Sequence, residues 1–307
     1  MPFSLSPTYR HSRRRAAISL AKHGDITEAA RVARVPIDML QRWLADDVEF
    51  QTLLRRATRK FRHREFMLQI DRLRDWSTQA PEEVTTILML RRNAFGWAPA
   101  ELKGRPIVGI GALYSGSAED GERALAPLHG FGPVLASSMQ KRLFTQHQSM
   151  LDASAPAGRL YYWKSHYMSV LTDAAIDVLA ANAWRLSSPG SYTLLSHMGG
   201  AIRRHSGDET AFTGRDAEFT ININCVASEP DLYELDRAWV RESFDALEPH
   251  STGGVYINFM GDEDSERVRA AYGATKYQRL ATLKAKFDPD NILRVNQNIK
   301  PVDQPNA

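Results

Sequence analysis

Histidine and cysteine are the side chains most often used for metal binding, and their placement in this chain does not favour a metal site. The chain contains nine histidines, and no two of them stand four residues apart, the spacing that brings two ligands to one side of a helix. Cys225 is the single cysteine, which excludes an intramolecular disulfide and a cysteine-based zinc cluster. We therefore expect no metal, and we expect Cys225 to be a small apolar strand residue.

A phenol and several amides in the last third of the chain offer another kind of chemistry. The apolar run at 255–259 predicts a short strand, in which Tyr256 and Asn258 face the same way because strand side chains alternate. Three amides follow at 296–298, and amide side chains both donate and accept hydrogen bonds. On this pattern alone, the simpler interpretation of Tyr256 as an ordinary half-buried aromatic residue is favoured, and Asn258 either contacts a ligand or ends the strand.

The elements that would position these groups alternate between strands and helices. Residues 218–225 alternate polar and apolar side chains without exception, which predicts a strand with one buried face and one polar face. Mixed strands and helices predict an α+β fold, an antiparallel sheet backed by helices and preceded by a small all-α segment. Further strands are expected at 106–114, 192–196 and 255–259, and helices at 119–128, 172–185, 231–247 and 266–287, the last interrupted near Gly273.

Charge divides the chain into two parts. Residues 1–70 contain fourteen Lys and Arg against seven Asp and Glu, a net charge of +7, whereas the whole chain carries +3, so the remaining residues carry −4. No stretch approaches the roughly 18 apolar residues that a membrane span needs, and the first residues lack the apolar run of a secretory signal. A cytoplasmic location without membrane contact is therefore expected.

The basic part predicts helices at 13–22, 27–33, 37–44 and 49–74. Its stretch 24–44 resembles the helix-turn-helix of phage and transposon DNA-binding proteins. That resemblance implies close packing at Ala29 and Ala30, and contacts of Arg34, Gln41 and Arg42 with phosphates or base edges. Residues 10–70 could then bind DNA, and the equally open alternative is a helical appendage whose arginines lie in water.

From about residue 74 to 303, short motifs match the berberine bridge enzyme-like FAD-linked oxidases in order and in spacing. Each motif is weak by itself, but their order makes chance similarity improbable, so the chain resembles this family. The motifs include Arg74-Asp75-Trp76, Pro99-Ala100-Glu101, Tyr114-Ser115-Gly116, Tyr161-Tyr162-Trp163-Lys164, Val255-Tyr256-Ile257-Asn258-Phe259, Asp288-Pro289-Asp290-Asn291 and Asn296-Gln297-Asn298-Ile299.

The resemblance implies an FAD-dependent oxidoreductase that oxidises an alcohol or similar carbon of a small molecule, with hydride transfer to the flavin. It implies a substrate domain whose open sheet face covers the flavin ring, with Tyr256 as the catalytic base. A phenol can take a hydroxyl proton if its pKa of ~10 is lowered by its surroundings. The cofactor-binding residues implied in this way are Asn258, Asn296, Gln297 and Asn298.

The sequence departs from the family in one large respect. The resemblance implies a flavin-binding domain ahead of the matched region, but a helix-turn-helix-like segment stands there and no Gly-Gly-His occurs in the chain. We therefore expect 1–70 to be a basic helical segment, 71–254 a partial substrate domain and 255–307 a C-terminal berberine-like segment. In a truncated or fused product the sheet would be exposed, and an oligomer or a partner chain could cover it. A DNA-binding protein and an inactive fusion remnant stay open as alternatives.

Overall fold

A computed structural model describes residues 7–207, 209–261 and 265–302 of the chain. The chain divides into two compact units, Met1–Leu68 and Gln69–Ala307. The domain limits that the sequence predicted, after residues 70 and 254, stay predictions. No helix in the described ranges is long and apolar enough to cross a membrane.

The first unit is built from four helices that pack through small residues. Ala16 and Ala17 of the first helix and Ala29, Ala30 and Ala33 of the second are buried, and the absence of larger side chains lets the helices approach closely. The second helix starts where the Asp25 carboxylate accepts hydrogen bonds from the amides of the first turn. The helices are α1 (Pro7–His23), α2 (Ile26–Ala33), α3 (Ile37–Asp46) and α4 (Val48–Ser77), the last of which continues into the second unit.

The second unit contains a five-stranded sheet in which every neighbouring pair is antiparallel, and the predicted α+β fold is confirmed. The spatial order is β2-β1-β4-β5-β3, so the strand with the strict polar and apolar alternation lies inside the sheet. The strands are β1 (Val84–Arg92), β2 (Pro106–Tyr114), β3 (Leu160–Met168), β4 (Tyr192–His197) and β5 (Phe219–Ala227).

One face of the sheet is apolar and is covered by helices. Leu88, Leu195 and Ile221 lie directly opposite one another on β1, β4 and β5, and each is at most 2% exposed. Helix α9 packs against β3 and β5, and Trp239 and Val240 are among its buried residues, because its apolar residues recur at helical spacing. The helices beyond α4 are α5 (Ala118–Leu125), α6 (Phe144–Gln148), α7 (Asp173–Asn182), α8 (Ala201–Arg204), α9 (Pro230–Leu247), α10 (Ser265–Tyr272) and α11 (Ala274–Phe287).

The prediction of a strand at 255–259 is wrong. Ile257–Phe259 forms a single 3-10 turn, in which the Phe259 amide donates to the Tyr256 carbonyl at 2.8 Å. Val255 and Met260, at the two ends of the turn, are both buried in the cluster formed with α10 and α11. A turn brings both ends to the same core, whereas a strand would send residues five apart to opposite sides.

Candidate functional site

The second face of the sheet carries polar side chains along β3 and β5, and the strand register defines it. Directly opposed residues of antiparallel strands project to the same side, so Ser165 of β3 shares a face with Asn222 of β5, its register partner. The same rule extends the face across β4 and β1. We call it the polar sheet face, and it contains Arg91, Trp163, Ser165, Tyr192, Thr220, Asn222 and Asn224.

Four buried polar atoms on this face have no hydrogen-bond partner among the described residues. They are Trp163 Nε1, Ser165 Oγ, Thr220 Oγ1 and Asn222 Nδ2. Ser165 is 2% exposed and Asn222 is 4% exposed, so these groups are withdrawn from bulk water. Buried polar groups are nearly always hydrogen-bonded because leaving one unpaired costs roughly 1–3 kcal/mol. Four such atoms lie on the adjacent strands β3 and β5, which makes this face a candidate surface for a ligand.

A cation and a phenol lie at one end of the polar sheet face. The Arg91 guanidinium lies 5.8 Å from the centre of the Tyr192 ring, and it donates to the Pro189 carbonyl at 3.0 Å. Burial lowers the pKa of Arg91 and raises the pKa of Tyr192, because each charged form loses hydration. The phenol of Tyr192 therefore stays neutral at physiological pH.

Tyr256 lies against the aromatic cluster at the opposite end. Its ring centre is 5.8 Å from that of Phe212 and 5.0 Å from that of Phe259, and it packs on a cluster that includes Tyr167. Tyr167 is the register partner of Thr220, so this cluster adjoins the polar sheet face. Tyr256 is half-buried, and its phenol oxygen accepts a hydrogen bond from Asn258 Nδ2 at 2.7 Å. A turn, not a strand, brings these two side chains together.

A second phenol in the same cluster is poorly suited to proton transfer. The Tyr167 hydroxyl donates to the Thr213 carbonyl at 3.1 Å, and its ring is 2% exposed. Burial, with a contribution from Tyr256, raises the pKa of Tyr167 far above its ordinary value. The half-exposed Tyr256 is thus the phenol of the cluster that a substrate could reach.

The three predicted amides at 296–298 differ in what they are free to bind. Gln297 Nε2 donates to the Met260 carbonyl at 3.0 Å, which joins the C-terminal segment to the turn that follows Tyr256. Asn296 has a φ of 62°, a left-handed conformation that asparagine tolerates better than most residues. Asn298 Oδ1 is buried and has no partner among the described residues, so it can accept a hydrogen bond from a ligand.

These groups fit a flat, neutral ligand with hydrogen-bonding atoms along its edges. The unpaired atoms of Trp163 and Asn222 can only donate, the hydroxyls of Ser165 and Thr220 can donate or accept, and Asn298 Oδ1 accepts. A flavin ring carries carbonyls and ring nitrogens of both kinds, so the four groups on the polar sheet face match the ring part of FAD. None of these five side chains carries a charge that would bind a phosphate.

A family model described as "Berberine and berberine like" matches residues 255–300. Among curated proteins, an FAD-linked oxidoreductase of Dictyostelium discoideum is 26% identical over 62% of this chain and 42% of its own length. The chain is a relative of the berberine-like FAD-linked oxidoreductases. A chitooligosaccharide oxidase of Gibberella zeae is another relative, 27% identical over 48% of this chain and 30% of its own length.

Solved structures of berberine-like oxidases and related enzymes share the fold. The 6-hydroxy-D-nicotine oxidase of Arthrobacter nicotinovorans superposes with a TM-score of 0.61 at 18% identity, over 79% of this chain and 52% of that chain. The berberine bridge enzyme-like protein 28 of Arabidopsis thaliana gives a TM-score of 0.62 at 16% identity, over 78% and 55%. The chain spans less than half the length of these curated relatives and about half that of these solved structures.

The sequence indicated only part of this site. The alternation at 218–225 predicted a polar strand face with Thr220 and Asn222, but it gave those side chains no role. Ser165 and Trp163 join them only through the pairing of β3 with β5, a contact between residues more than fifty positions apart. The motif at 161–164 was the available signal, because it matched the family without predicting a strand.

Proposed function

We propose that this chain forms the substrate-side wall and the C-terminal segment of an FAD-dependent oxidoreductase, which oxidises an alcohol or similar carbon of a small molecule. The observation that carries the proposal is the set of unpaired polar atoms of Trp163, Ser165, Thr220 and Asn222 on one sheet face. When bound, FAD would supply the acceptor for the hydride. The role of the chain's own residues is to hold the ring and the substrate and to accept a proton.

The polar sheet face would hold the edges of the flavin ring through the Ser165 and Thr220 hydroxyls and the Asn222 amide. Asn298 would accept a ring N–H from the C-terminal side. We expect weaker roles for Asn296, whose conformation shapes the chain, and for Gln297, whose amide nitrogen binds backbone carbonyls. The side chains replace hydrogen bonds that the ring would otherwise make with water.

Tyr256 would take the hydroxyl proton of the substrate as the carbon is oxidised. The amide of Asn258 donates to the phenol oxygen at 2.7 Å, so it fixes the direction in which the remaining lone pair points. Phe212 and Phe259 hold the ring from two sides. Asn258 therefore acts on the phenol, and its contact with the cofactor stays a prediction from the resemblance.

The experiment is flavin uptake. Purified chain is incubated with FAD, free flavin is removed by gel filtration, and the visible spectrum of the protein fraction is recorded. We expect a bound-flavin band that is reduced at least tenfold in the double variant Ser165→Ala, Thr220→Val. The matched control is Ser149→Ala, Thr282→Val, which removes the same two hydroxyls at exposed positions of the chain. Wild-type protein that stays colourless at saturating FAD would rule out the proposal.

Three further statements from the sequence remain predictions. The cytoplasmic location is one, and an oligomer or partner chain that covers the polar sheet face is another. The inactive remnant is the third, and a cooperative thermal transition of the purified chain would contradict its failure to fold.

A further inference from the structure

Helix α4 carries a run of cations that the proposed oxidoreductase chemistry does not use. Residues 50–64 contain six Lys and Arg and no Asp or Glu. Five of these cations are exposed, and we call them the basic stripe: Arg55, Arg56, Arg59, Lys60 and Arg64. At 3.6 residues per turn, Arg55 and Arg59 stand one above the other, as do Arg56 and Lys60.

The basic stripe has no counter-charge of its own. No ion pair joins any of its five cations to a carboxylate within the described residues, although Arg62 on the same helix pairs with Glu65 at 3.1 Å. Like charges four apart on a helix repel each other. The five cations of the stripe therefore repel one another, and a polyanion that lies along the helix would reduce that repulsion.

Apolar residues at the start of α4 pack into the core of the first unit. Phe50 is fully buried, and Leu53, Leu54 and Ala57 pack against the same cluster. An amphipathic helix that binds a lipid surface inserts its apolar side into that surface. Since these apolar side chains are already packed in the core, the stripe offers charge alone, which fits a nucleic-acid backbone better than a membrane.

Helix α3, the segment that the helix-turn-helix resemblance assigns to DNA, is a weaker electrostatic anchor. It contains two Asp and one Arg, and Arg42 pairs with Asp38 at 2.9 Å. Arg34 and Gln41 are exposed, as the resemblance requires, but only Arg34 adds charge. Of these two helices, α4 therefore offers the stronger attraction for a polyanion.

We infer that the basic stripe binds the phosphate backbone of duplex DNA without reading its sequence. Four of its five cations are arginines, whose planar guanidinium donates two parallel hydrogen bonds to one phosphate. Phosphate contacts fix a protein on the duplex but carry no sequence information. This inference is independent of the flavin proposal, because it uses only residues 55–64.

The test is fluorescence anisotropy of the full chain with a labelled duplex of about 20 base pairs. We expect saturable binding with little dependence on sequence. Neutralising about five phosphates predicts a slope of about −4.5 for log affinity against log salt, which corresponds to a loss of about 500-fold between about 50 and 200 mM salt. The variant R55Q/R56Q/R59Q/K60Q should lose at least 30-fold in affinity at 50 mM salt.

Two matched variants decide whether the stripe itself is responsible. The charge-preserving variant R55K/R56K/R59K should stay within about fivefold of wild type, since lysine also binds phosphate as a point charge. The control R10Q/R14Q/R15Q/K22Q removes four cations of α1 in the same unit and should lose less than fivefold.

Equal losses in the stripe variant and in the control would overturn the inference, because net charge and not the stripe would then be responsible. Wild-type chain that fails to bind the duplex at 50 mM salt, or that binds anionic vesicles but not DNA, would overturn it as well. A thermal transition recorded for each variant identifies any loss of binding that comes from unfolding. If the glutamine variant unfolds, the lysine variant still tests the stripe.

Discussion

At the scale of single residues, Asn222 combines burial with an unused hydrogen-bond donor. Replacing a buried, unpaired polar group by an apolar group of similar shape is neutral or stabilising. We therefore expect Asn222→Leu to leave the stability of the chain unchanged or to raise it by up to about 1 kcal/mol. Flavin affinity should fall at least tenfold, about 1.4 kcal/mol, because the ring loses a hydrogen bond. Thermal unfolding and flavin titration measure the two effects.

The opposite signs of these two effects separate a binding role from a structural role. A residue that only supported the sheet would lower both stability and flavin affinity when replaced. Leu194 is the register partner of Asn222 on β4. Leu194→Asn is therefore the reverse control, in which an apolar residue of the same face is replaced by asparagine. A parallel loss of stability and of flavin binding in Asn222→Leu would contradict the assignment.

Tyr256→Phe tests the phenol oxygen without disturbing the ring. The contacts with Phe212 and Phe259 involve the ring and should be retained, so the free energy of unfolding should change by less than about 1 kcal/mol. The rate of flavin reduction by a small alcohol should fall about 100-fold or more, as expected for a missing general base, with flavin binding retained. Stopped-flow absorbance measures the rate. Unchanged reduction in the variant would remove Tyr256 from the mechanism.

At the scale of elements, one buried carboxylate joins α9 to the segment that leads into β4. Asp236 is fully buried and accepts hydrogen bonds from the amides of Ser187 and Ser188, both at 3.1 Å, and from the Ser191 hydroxyl at 2.5 Å. Asp236→Ala leaves the buried amide of Ser188 and the buried hydroxyl of Ser191 without this acceptor, so we expect a loss of about 3–5 kcal/mol in the free energy of unfolding.

Urea unfolding measures this loss, and Asp245→Ala is the matched control. Asp245 is exposed on the same helix, so its removal should cost no more than about 0.5 kcal/mol. A similar effect of the two substitutions would mean that the buried hydrogen bonds of Asp236 do not hold α9 in place.

The elements differ in how well the sequence predicted them. Strand β5 and the interruption of the last helix at Gly273 were confirmed, because a period of two and a glycine both act locally. The sequence did not predict β3, where large aromatic residues occupy both faces and hide the alternation. It wrongly predicted a strand at 255–259, since a short apolar run has no length or period that separates a strand from a buried turn.

The candidate site was less predictable than the fold for a related reason. Tyr256 and Asn258 were chosen as a strand pair, and they do meet, but through a hydrogen bond inside a turn. The polar sheet face needs the register of four strands, and each pairing joins residues distant in sequence. Local patterns therefore identified its polar side chains but could not bring them together.

At the scale of the whole molecule, the stability of the chain should depend on pH through a buried histidine. His166 is 3% exposed, and burial lowers its pKa, with smaller contributions from Arg267 and Lys164. The unfolded chain then binds a proton that the folded chain resists, so stability falls as pH drops below the unfolded pKa of about 6.5. We expect urea midpoints to decrease from pH 7.5 to pH 5.5.

His166→Gln isolates this contribution. Glutamine keeps a donor for the Phe244 carbonyl, which lies 2.9 Å from His166 Nε2, but it does not titrate. The pH-dependent loss of stability should therefore shrink in the variant by about 1 kcal/mol. An identical pH profile in the variant and in wild type would assign the effect to other groups, among them His197, whose pKa is lowered by burial as well.

The length of the chain relative to similar structures and the neutral side chains of the polar sheet face predict which part of the cofactor it recognises. The chain spans about half the length of its structural relatives, and the unpaired atoms on the polar sheet face belong to neutral side chains suited to a ring. A pyrophosphate is bound by cations or by the amides of a helix N-terminus, and neither is among these groups. The chain alone should therefore bind FAD, FMN and lumiflavin with dissociation constants within about threefold of one another, a difference of roughly 0.6 kcal/mol. Flavin fluorescence titration measures all three. Binding of FAD more than a hundredfold tighter than lumiflavin would mean that a second contact, with the adenosine or the phosphates, carries most of the affinity.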